Sequence, residues 1–223
     1  MKTVMERTDT EIKTLVLSEL AYEPRIKSTD IGVLVKDGTV TLVGSAMSYG
    51  EKSDAVRAAK RVAGVNGIAD DIEVKLPDAH MRNDGDIAAA ASNAIAWTTN
   101  IPQENITVTV RQGRIILEGE VEWWFQKENV EKLVQNLMGV KVVSNMITIK
   151  PAMASEIVET AISSAFERSA LLDAKQVHVE IAGDKVILRG TVKNWTEREE
   201  AERAAWSSAG VFSVDNHLRV DGY

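Results

Sequence analysis

The feature that most constrains the fold is an internal repeat, in which three segments of the chain align with one another without a gap. The segment beginning at Ile31 matches the segment beginning at Ile106, 75 residues later, and the third copy begins at Val177, a further 71 residues on. Glycine recurs at two places in every copy, first as Gly44, Gly119 and Gly190 and then as Gly64, Gly139 and Gly210. This repetition predicts three similar folding units rather than one large core.

Each copy shows the same succession of periodicities. Apolar residues alternate at Ile31, Val33 and Val35, which predicts a β-strand. A glycine-containing pair and a second apolar segment follow, which indicates a β-hairpin. Helical spacing, a glycine and a final short strand complete the copy, and a further helix precedes the hairpin. In the first copy that helix begins with a capping box, Thr8 with Glu11.

The repeated unit is therefore predicted to be α-β-β-α-β, an α+β fold with a three-stranded mixed sheet and two helices packed on one face. We place the three units at residues 5–77, 81–151 and 154–222. The linkers between them are short, so the units are expected to touch. An apolar Leu34 on the outward face of the first hairpin suggests burial between units.

The recurring glycines receive structural roles. Those after the second strand, Gly44 and its counterparts, are expected in a turn. Those at Gly64 and its counterparts are expected to cap the C-terminus of the preceding helix, because glycine adopts a positive φ at little cost.

Composition excludes several classes of function. The 223 residues contain no cysteine, which excludes disulfides, thiol catalysis and Cys-ligated metals. The net charge of −7 argues against a nucleic-acid partner, which requires a basic face. The three histidines, His80, His178 and His217, belong to no catalytic motif. We therefore predict no enzymatic activity and no cofactor.

The first residues of the chain predict a location. Glu6, Asp9 and Glu11 are among the charged residues that interrupt any apolar stretch of the length that a secretory signal needs. No run of about 18 apolar residues follows anywhere in the chain. The expected location is the cytoplasm.

The pattern resembles the BON domain, named for bacterial osmotic-stress and nodulation proteins. The resemblance rests on the glycine after the second strand, the helix with paired alanines, the Gly-Val step and an asparagine in the final strand. Asn145 and Asn216 fit the asparagine position, and Asp70 replaces it in the first copy. The resemblance covers nearly the whole chain and implies non-enzymatic proteins. These are associated with osmotic stress, with binding of anionic phospholipid or the envelope, with chaperone-like contacts and, in one cytoplasmic relative, with potassium.

Comparison of the copies separates core aromatic residues from exposed ones. Trp124 matches Tyr49 and Trp195, so an aromatic residue recurs there and is expected to be structural. By contrast, Trp123 matches Ser48 and Asn194, both good helix N-caps.

Three further aromatic residues have a non-aromatic counterpart in at least one other copy. Phe125 matches Gly50 and Thr196, and Trp206 matches Lys60 and Gln135 on what is expected to be the outward face of its helix. Trp97 matches Tyr22 but also Arg168, and is a candidate for a junction between units. The candidate interaction residues are therefore Trp97, Trp123, Phe125 and Trp206.

Three interpretations of these residues stay open. They seal interfaces between units of one chain, they bind another protein or a second copy of this chain, or they insert at an anionic phospholipid surface. Asp70 and Asp71, with Glu73 close by, are a candidate cation-attracting pair.

These interpretations lead to two hypotheses about function. The first is a stress-associated binding or scaffold protein that contacts a protein or phospholipid partner. The alternative is a cytoplasmic sensor of potassium or another cation.

Overall fold

The computed structural model describes residues 7–150, 159–169, 176–208 and 210–221. The predicted succession of elements is found three times within these ranges. The first unit contains α1 (Asp9–Tyr22), β1 (Ile31–Lys36), β2 (Thr39–Ala46), α2 (Tyr49–Lys60) and β3 (Gly67–Val74). The second contains α3 (Asp84–Ala96), β4 (Ile106–Arg111), β5 (Arg114–Val121), α4 (Trp124–Val134), β6 (Val142–Asn145) and β7 (Thr148–Ile149). The third contains α5 (Glu159–Arg168), β8 (Val177–Ala182), β9 (Lys185–Val192), α6 (Trp195–Trp206) and β10 (Ser213–Val220). The predicted α+β class with three tandem units is confirmed.

Each sheet has the second strand of its unit at the centre. In the second domain, β4 and β5 run antiparallel with Val108 opposite Leu117, and β6 joins β5 in parallel with Val143 opposite Ile115. The third domain repeats this arrangement with β8, β9 and β10. The sheet of the first domain has the order β1-β2-β3. The final strand of the second domain is interrupted after Asn145, where Met146 still donates its N–H to Leu117.

The cores follow directly from the periodicities of the sequence. In the second domain, every fourth residue of α3 points to the sheet, and the inward face of β5 meets it. The buried cluster includes Ile87, Ala91, Ile95, Ile115, Leu117, Val121, Val130, Val134, Val140 and Ile147. Full burial of one such branched side chain contributes roughly 1.5–3 kcal/mol. This apolar interior fixes the positions at which the two helices present their ends to solvent.

In the second domain, an aspartate at the start of α3 forms hydrogen bonds with the turn between β4 and β5. The Asp84 carboxylate accepts the N–H groups of Gly113 (2.9 Å) and Gln112 (2.7 Å). These bonds, led by that from Gly113, lower the pKa of Asp84. Asp9 accepts the corresponding N–H groups in the first domain, so the first two copies share this contact.

The expectation that the first set of recurring glycines lies in a turn is wrong, because Gly44, Gly119 and Gly190 lie within β2, β5 and β9. Each has a positive φ, and an added Cβ there would meet the backbone carbonyl of the residue before the first strand of its unit.

The second set of recurring glycines also has positive φ but does not cap the helices. The C-cap residue of α4 is Gln135 and that of α6 is Ser207, and both have right-handed helical backbone. Gly139 comes after a further turn, at φ 88°, where an added Cβ would lie 2.7 Å from Ile87 Cδ1. The helix ends before the glycine because the chain needs a further turn to reach the final strand, and the glycine there allows close approach to α3.

The asparagine of the final strand fastens that strand to the second helix. Asn145 Nδ2 donates to the Lys127 carbonyl (3.0 Å) and to Glu131 Oε2 (3.1 Å), while Oδ1 accepts from Ile147 N (3.3 Å). Asn216 makes the same three contacts, with Arg198, Glu202 and Leu218. The residues that carry the family resemblance therefore have a structural role.

The first copy differs at two linked positions. Asp70 replaces the asparagine, and Val56 occupies the place of Glu131 and Glu202. A carboxylate cannot donate to a second carboxylate, so loss of the amide and loss of the glutamate belong together.

The chain divides into two compact units. One comprises residues 1–45, 53–73 and 154–223, and the other comprises 46–52 and 74–153. Within the former, Lys60 of α2 forms an ion pair with Glu199 of α6. Within the latter, Tyr49 packs against the hydrophobic cluster of the second domain. The aromatic position that recurs in all copies therefore makes an apolar packing contact in the first copy.

The suggestion that Leu34 is buried between units is wrong. Its side chain is 57% exposed, although the predicted alternation along β1 is present. Leu34 lies on the sheet face away from the helices, opposite Thr41 of β2, and a single exposed leucine on such a face is common in folded proteins.

Candidate interaction surface

Tryptophan occupies the N-cap position of α4. The backbone of Trp123 is extended, with φ −130° and ψ 143°, and its side chain makes no capping hydrogen bond, since an indole has no acceptor. In the other copies, Ser48 Oγ accepts from Glu51 N (3.1 Å) and Asn194 Oδ1 accepts from Glu197 N (2.9 Å). The second domain thus lacks a favourable cap and instead presents an indole that is 39% exposed.

Two other aromatic side chains lie at the same end of the second domain. Phe125, in the first turn of α4, is 46% exposed. Trp97, the C-cap residue of α3, is 90% exposed. We call Trp97, Trp123 and Phe125 the aromatic surface. Large apolar groups exposed together at one end of a domain are typical of interaction sites.

The buried side chain of Gln126 connects the start of α4 to the loop that follows α3. Gln126 Oε1 accepts from the Trp123 N–H (3.0 Å), and its Nε2 donates to the carbonyl of Asn100 (2.8 Å). Asn100 lies in the loop after α3 and has a positive φ of 69°, which asparagine tolerates better than most residues. Gln126 was missed by sequence reasoning. The available signal was that the other copies carry glutamate there, Glu51 and Glu197, which could not donate to a carbonyl.

The loop and the helix enclose a shallow groove of about 460 Å³. Its lining consists of Asn100, Ile101, Pro102, Asn105, Glu122, Trp123, Phe125 and Gln126, and we call this the groove. One wall is the loop from Asn100, and the other is the start of α4 with the exposed rings.

The surroundings of the groove are acidic. Glu104 and Glu122 are exposed and make no ion pair with any residue that the structure describes, whereas Glu120 is paired with Lys150 (3.1 Å). Lys127 is the nearest lysine along α4 and is half-buried. Binding of anionic lipid headgroups requires adjacent basic side chains, so this charge pattern does not favour it.

Trp206 is not part of the aromatic surface, and its predicted outward orientation is wrong. Its side chain is half-buried and packs against the core of the third domain. The adjacent helix face carries Ala201, Ala204 and Ala205, where α4 carries the larger Val130, Leu133 and Val134. The smaller side chains of α6 leave apolar surface that the indole covers.

The other polar candidates are dispersed. Asp70 and Asp71 are exposed, and Asp70 Oδ1 accepts from Ile72 N (3.2 Å) as its asparagine counterparts do. No group of three or more His, Asp or Glu side chains arranged to hold a metal ion occurs among the described residues. The three histidines, His80, His178 and His217, are exposed and belong to different elements.

Comparison with known proteins decides the family. The BON domain model matches three times, over residues 8–75, 83–151 and 154–222. This chain belongs to the BON domain family. It is 30% identical over 152 residues to osmotically-inducible protein Y of Escherichia coli (strain K12), an alignment that covers 64% of this chain and 73% of that protein.

Solved structures give a weaker likeness. The C-terminal domain of CdsD, the structural protein of the Type III secretion system of Chlamydia trachomatis, is 14% identical, and the match covers 96% of this chain and 99% of that chain at a TM-score of 0.25. A second CdsD structure is 15% identical over 92% of this chain and 90% of that chain, again at a TM-score of 0.25.

Each helix in the described ranges is too short or too polar to cross a bilayer.

The N-cap position gives a prediction that separates a structural role from a binding role. Substitution Trp123→Asn is expected to raise the stability of α4 by about 1 kcal/mol, since asparagine is among the best N-caps. Asn194 already fills this role in the third copy. Hydrogen exchange of the amides in 124–134 measures the change. Destabilisation would mean that the indole packs usefully against its own domain, and would remove the reason for treating it as a binding residue.

Proposed function

We propose that this chain is a non-enzymatic binding protein associated with osmotic stress, whose second BON domain binds a protein partner through the aromatic surface. The observation that carries the proposal is the exposed Trp123 at a position where the other copies have a helix cap. The family and the similarity to osmotically-inducible protein Y support the association with osmotic stress.

The chemistry of the surface favours protein over lipid. An anionic lipid surface would meet unpaired carboxylates at Glu104 and Glu122 and would gain few ion pairs. A protein segment gains apolar contact with rigid aromatic rings, which lose little conformational entropy on binding. Lipid binding is therefore one outcome of the test rather than a second proposal.

The test compares the full chain with a variant that carries the residues of the third copy, Trp123→Asn with Phe125→Thr. Both proteins are applied to an immobilised array of unstructured peptides that contain apolar residues with basic, neutral or acidic neighbours. They are also titrated with vesicles of phosphatidylethanolamine and phosphatidylglycerol. We expect at least about a tenfold loss of peptide affinity in the variant, because exposed aromatic anchors dominate such contacts.

A control variant alters an aromatic residue outside the surface. Tyr22 matches Trp97 in the repeat and is 84% exposed on the first domain, so Tyr22→Arg should leave peptide binding unchanged. Equal peptide binding by the wild-type chain and the double variant would contradict the proposal. So would vesicle binding that needs Trp123, since that result assigns the surface to lipid.

The sequence-based alternative of a potassium sensor stays a prediction. Thermal melts in potassium and sodium chloride at equal ionic strength test it, because a ligand that binds only the folded chain raises its Tm.

A further inference from the structure

We infer that the groove of the second domain binds basic protein segments, with a lysine or arginine side chain over the Trp123 ring and beside the Glu122 carboxylate. The inference rests on the proposed function and names the chemistry of the partner.

An acidic and an aromatic residue are neighbours in the lining of the groove. Glu122 and Trp123 are consecutive, both line the groove, and both are exposed. A cation above an indole face is attracted by the ring quadrupole, and a nearby carboxylate adds a direct ion pair. Glu122 has no ion-pair partner among the described residues, so its charge is available to a ligand.

The acidic residue at this position is specific to the second copy. The counterparts of Glu122 are Met47 and Lys193, so the acidic residue occurs only in the copy that also has the exposed indole. Glu104, in the loop wall of the groove, is a further exposed carboxylate. Negative charge therefore lies beside the exposed aromatic side chains of the groove. This combination is complementary to a protein segment that carries both basic and apolar residues.

The N-terminus of a helix such as α4 in general favours anions, because its N–H groups point outward. Here two of these groups are already used. The Trp123 N–H donates to the Gln126 side chain (3.0 Å), and the Gln126 N–H donates to the Trp123 carbonyl (3.1 Å). The helix end therefore has less capacity for an acidic ligand, and the carboxylate of Glu122 offsets its partial positive charge.

Hydrogen bonding and packing fix the two walls of the groove, so a ligand can bind without a rearrangement of the protein. The Gln126 bond to the Asn100 carbonyl fixes the loop wall relative to the helix wall. Ile101 is 9% exposed and anchors the loop in the core, while the ring of Pro102 fixes that residue's own φ, which is −75°. A ligand that enters a preformed groove avoids the free-energy cost of ordering the protein.

The experiment uses three fluorescent peptides that share one apolar sequence and differ only in flanking residues, arginine, serine or glutamate. Fluorescence anisotropy with the full chain at about 50 mM salt, where surface charges are weakly screened, gives each Kd. We expect the arginine peptide to bind about tenfold more tightly than the serine peptide and the glutamate peptide to bind least. Raising the salt concentration should reduce this preference.

Three variants assign the preference to residues. Glu122→Gln keeps the shape and should remove most of the preference for arginine while sparing the serine peptide. Trp123→Leu keeps apolar area without the indole ring and should weaken the arginine peptide more than the serine peptide. Glu128→Gln is the matched charge control, because Glu128 is already paired with Lys132 (2.9 Å), and should change little.

The possible failures are distinguishable. If the arginine and serine peptides bind equally and both need Trp123, the basic partner is wrong and the proposed function stands. If no peptide binds, or if binding is unchanged in Trp123→Asn, both are wrong. Preference for the glutamate peptide would overturn the inference directly.

Discussion

Replacing Gly190 with alanine is expected to destabilise the third domain by about 3 kcal/mol or more. The residue has φ 125°, a conformation that residues with a Cβ rarely adopt, and it pairs with Val177 at the start of the hairpin. An added Cβ would lie 1.9 Å from the carbonyl oxygen of Gln176. Because that oxygen belongs to backbone entering β8, relief of the clash requires the hairpin itself to move. Hydrogen exchange of the amides in 177–192 measures the loss.

Gly183→Ala is the matched control, because the same hairpin holds it. Gly183 also has a positive φ, 67°, but an added Cβ would meet nothing within 4 Å. Its substitution should cost only the backbone strain of about 1–2 kcal/mol. Equal effects of the two substitutions would show that the carbonyl contact has no energetic weight and that the recurrence of glycine at 44, 119 and 190 needs another explanation.

Substitution Asn145→Asp is expected to destabilise the second domain by about 2–4 kcal/mol. The amide nitrogen that donates to the Lys127 carbonyl and to Glu131 would become an oxygen, so acceptors would face one another. The carboxylate would also be repelled by Glu131. Urea unfolding of the full chain, followed by hydrogen exchange across 142–149, measures the change and its location.

The sequence of the first copy indicates a second substitution that should restore part of this lost stability. Glu131→Val, the residue found at Val56, should cost little by itself and should recover part of the stability lost in Asn145→Asp. The penalty should also shrink below about pH 4, where a protonated carboxyl regains a donor. Additive effects of the two substitutions, with no change at low pH, would contradict the assigned hydrogen bonds.

Much of the fold could be predicted because its signals are local. The alternation at Ile31, Val33 and Val35 and the capping box at Thr8 and Glu11 each depend on a few neighbouring residues, and the structure contains the expected strand and cap. The copies added a comparison within one chain, which identified Trp123 as a residue at a cap position.

Features that depend on packing in three dimensions were predicted poorly or missed. Trp206 was expected to point outward, yet the small alanines of α6 leave a surface that it covers. The role of Gln126 needs the Asn100 carbonyl within reach, and 26 residues separate the two. Neither the loop path nor the room left by small side chains can be derived from periodicity alone.

Binding of a protein segment to the aromatic surface of the second domain can be observed at the tryptophans themselves. The five tryptophans allow a direct measurement, because each gives its own resonance when labelled with 5-fluorotryptophan. In a ¹⁹F NMR titration of the full chain with the arginine peptide, we predict saturable shifts of Trp123 and Trp97. The resonances of Trp195 and Trp206 should stay unchanged. Shifts confined to Trp195 or Trp206, or no shift at saturating peptide, would contradict the account.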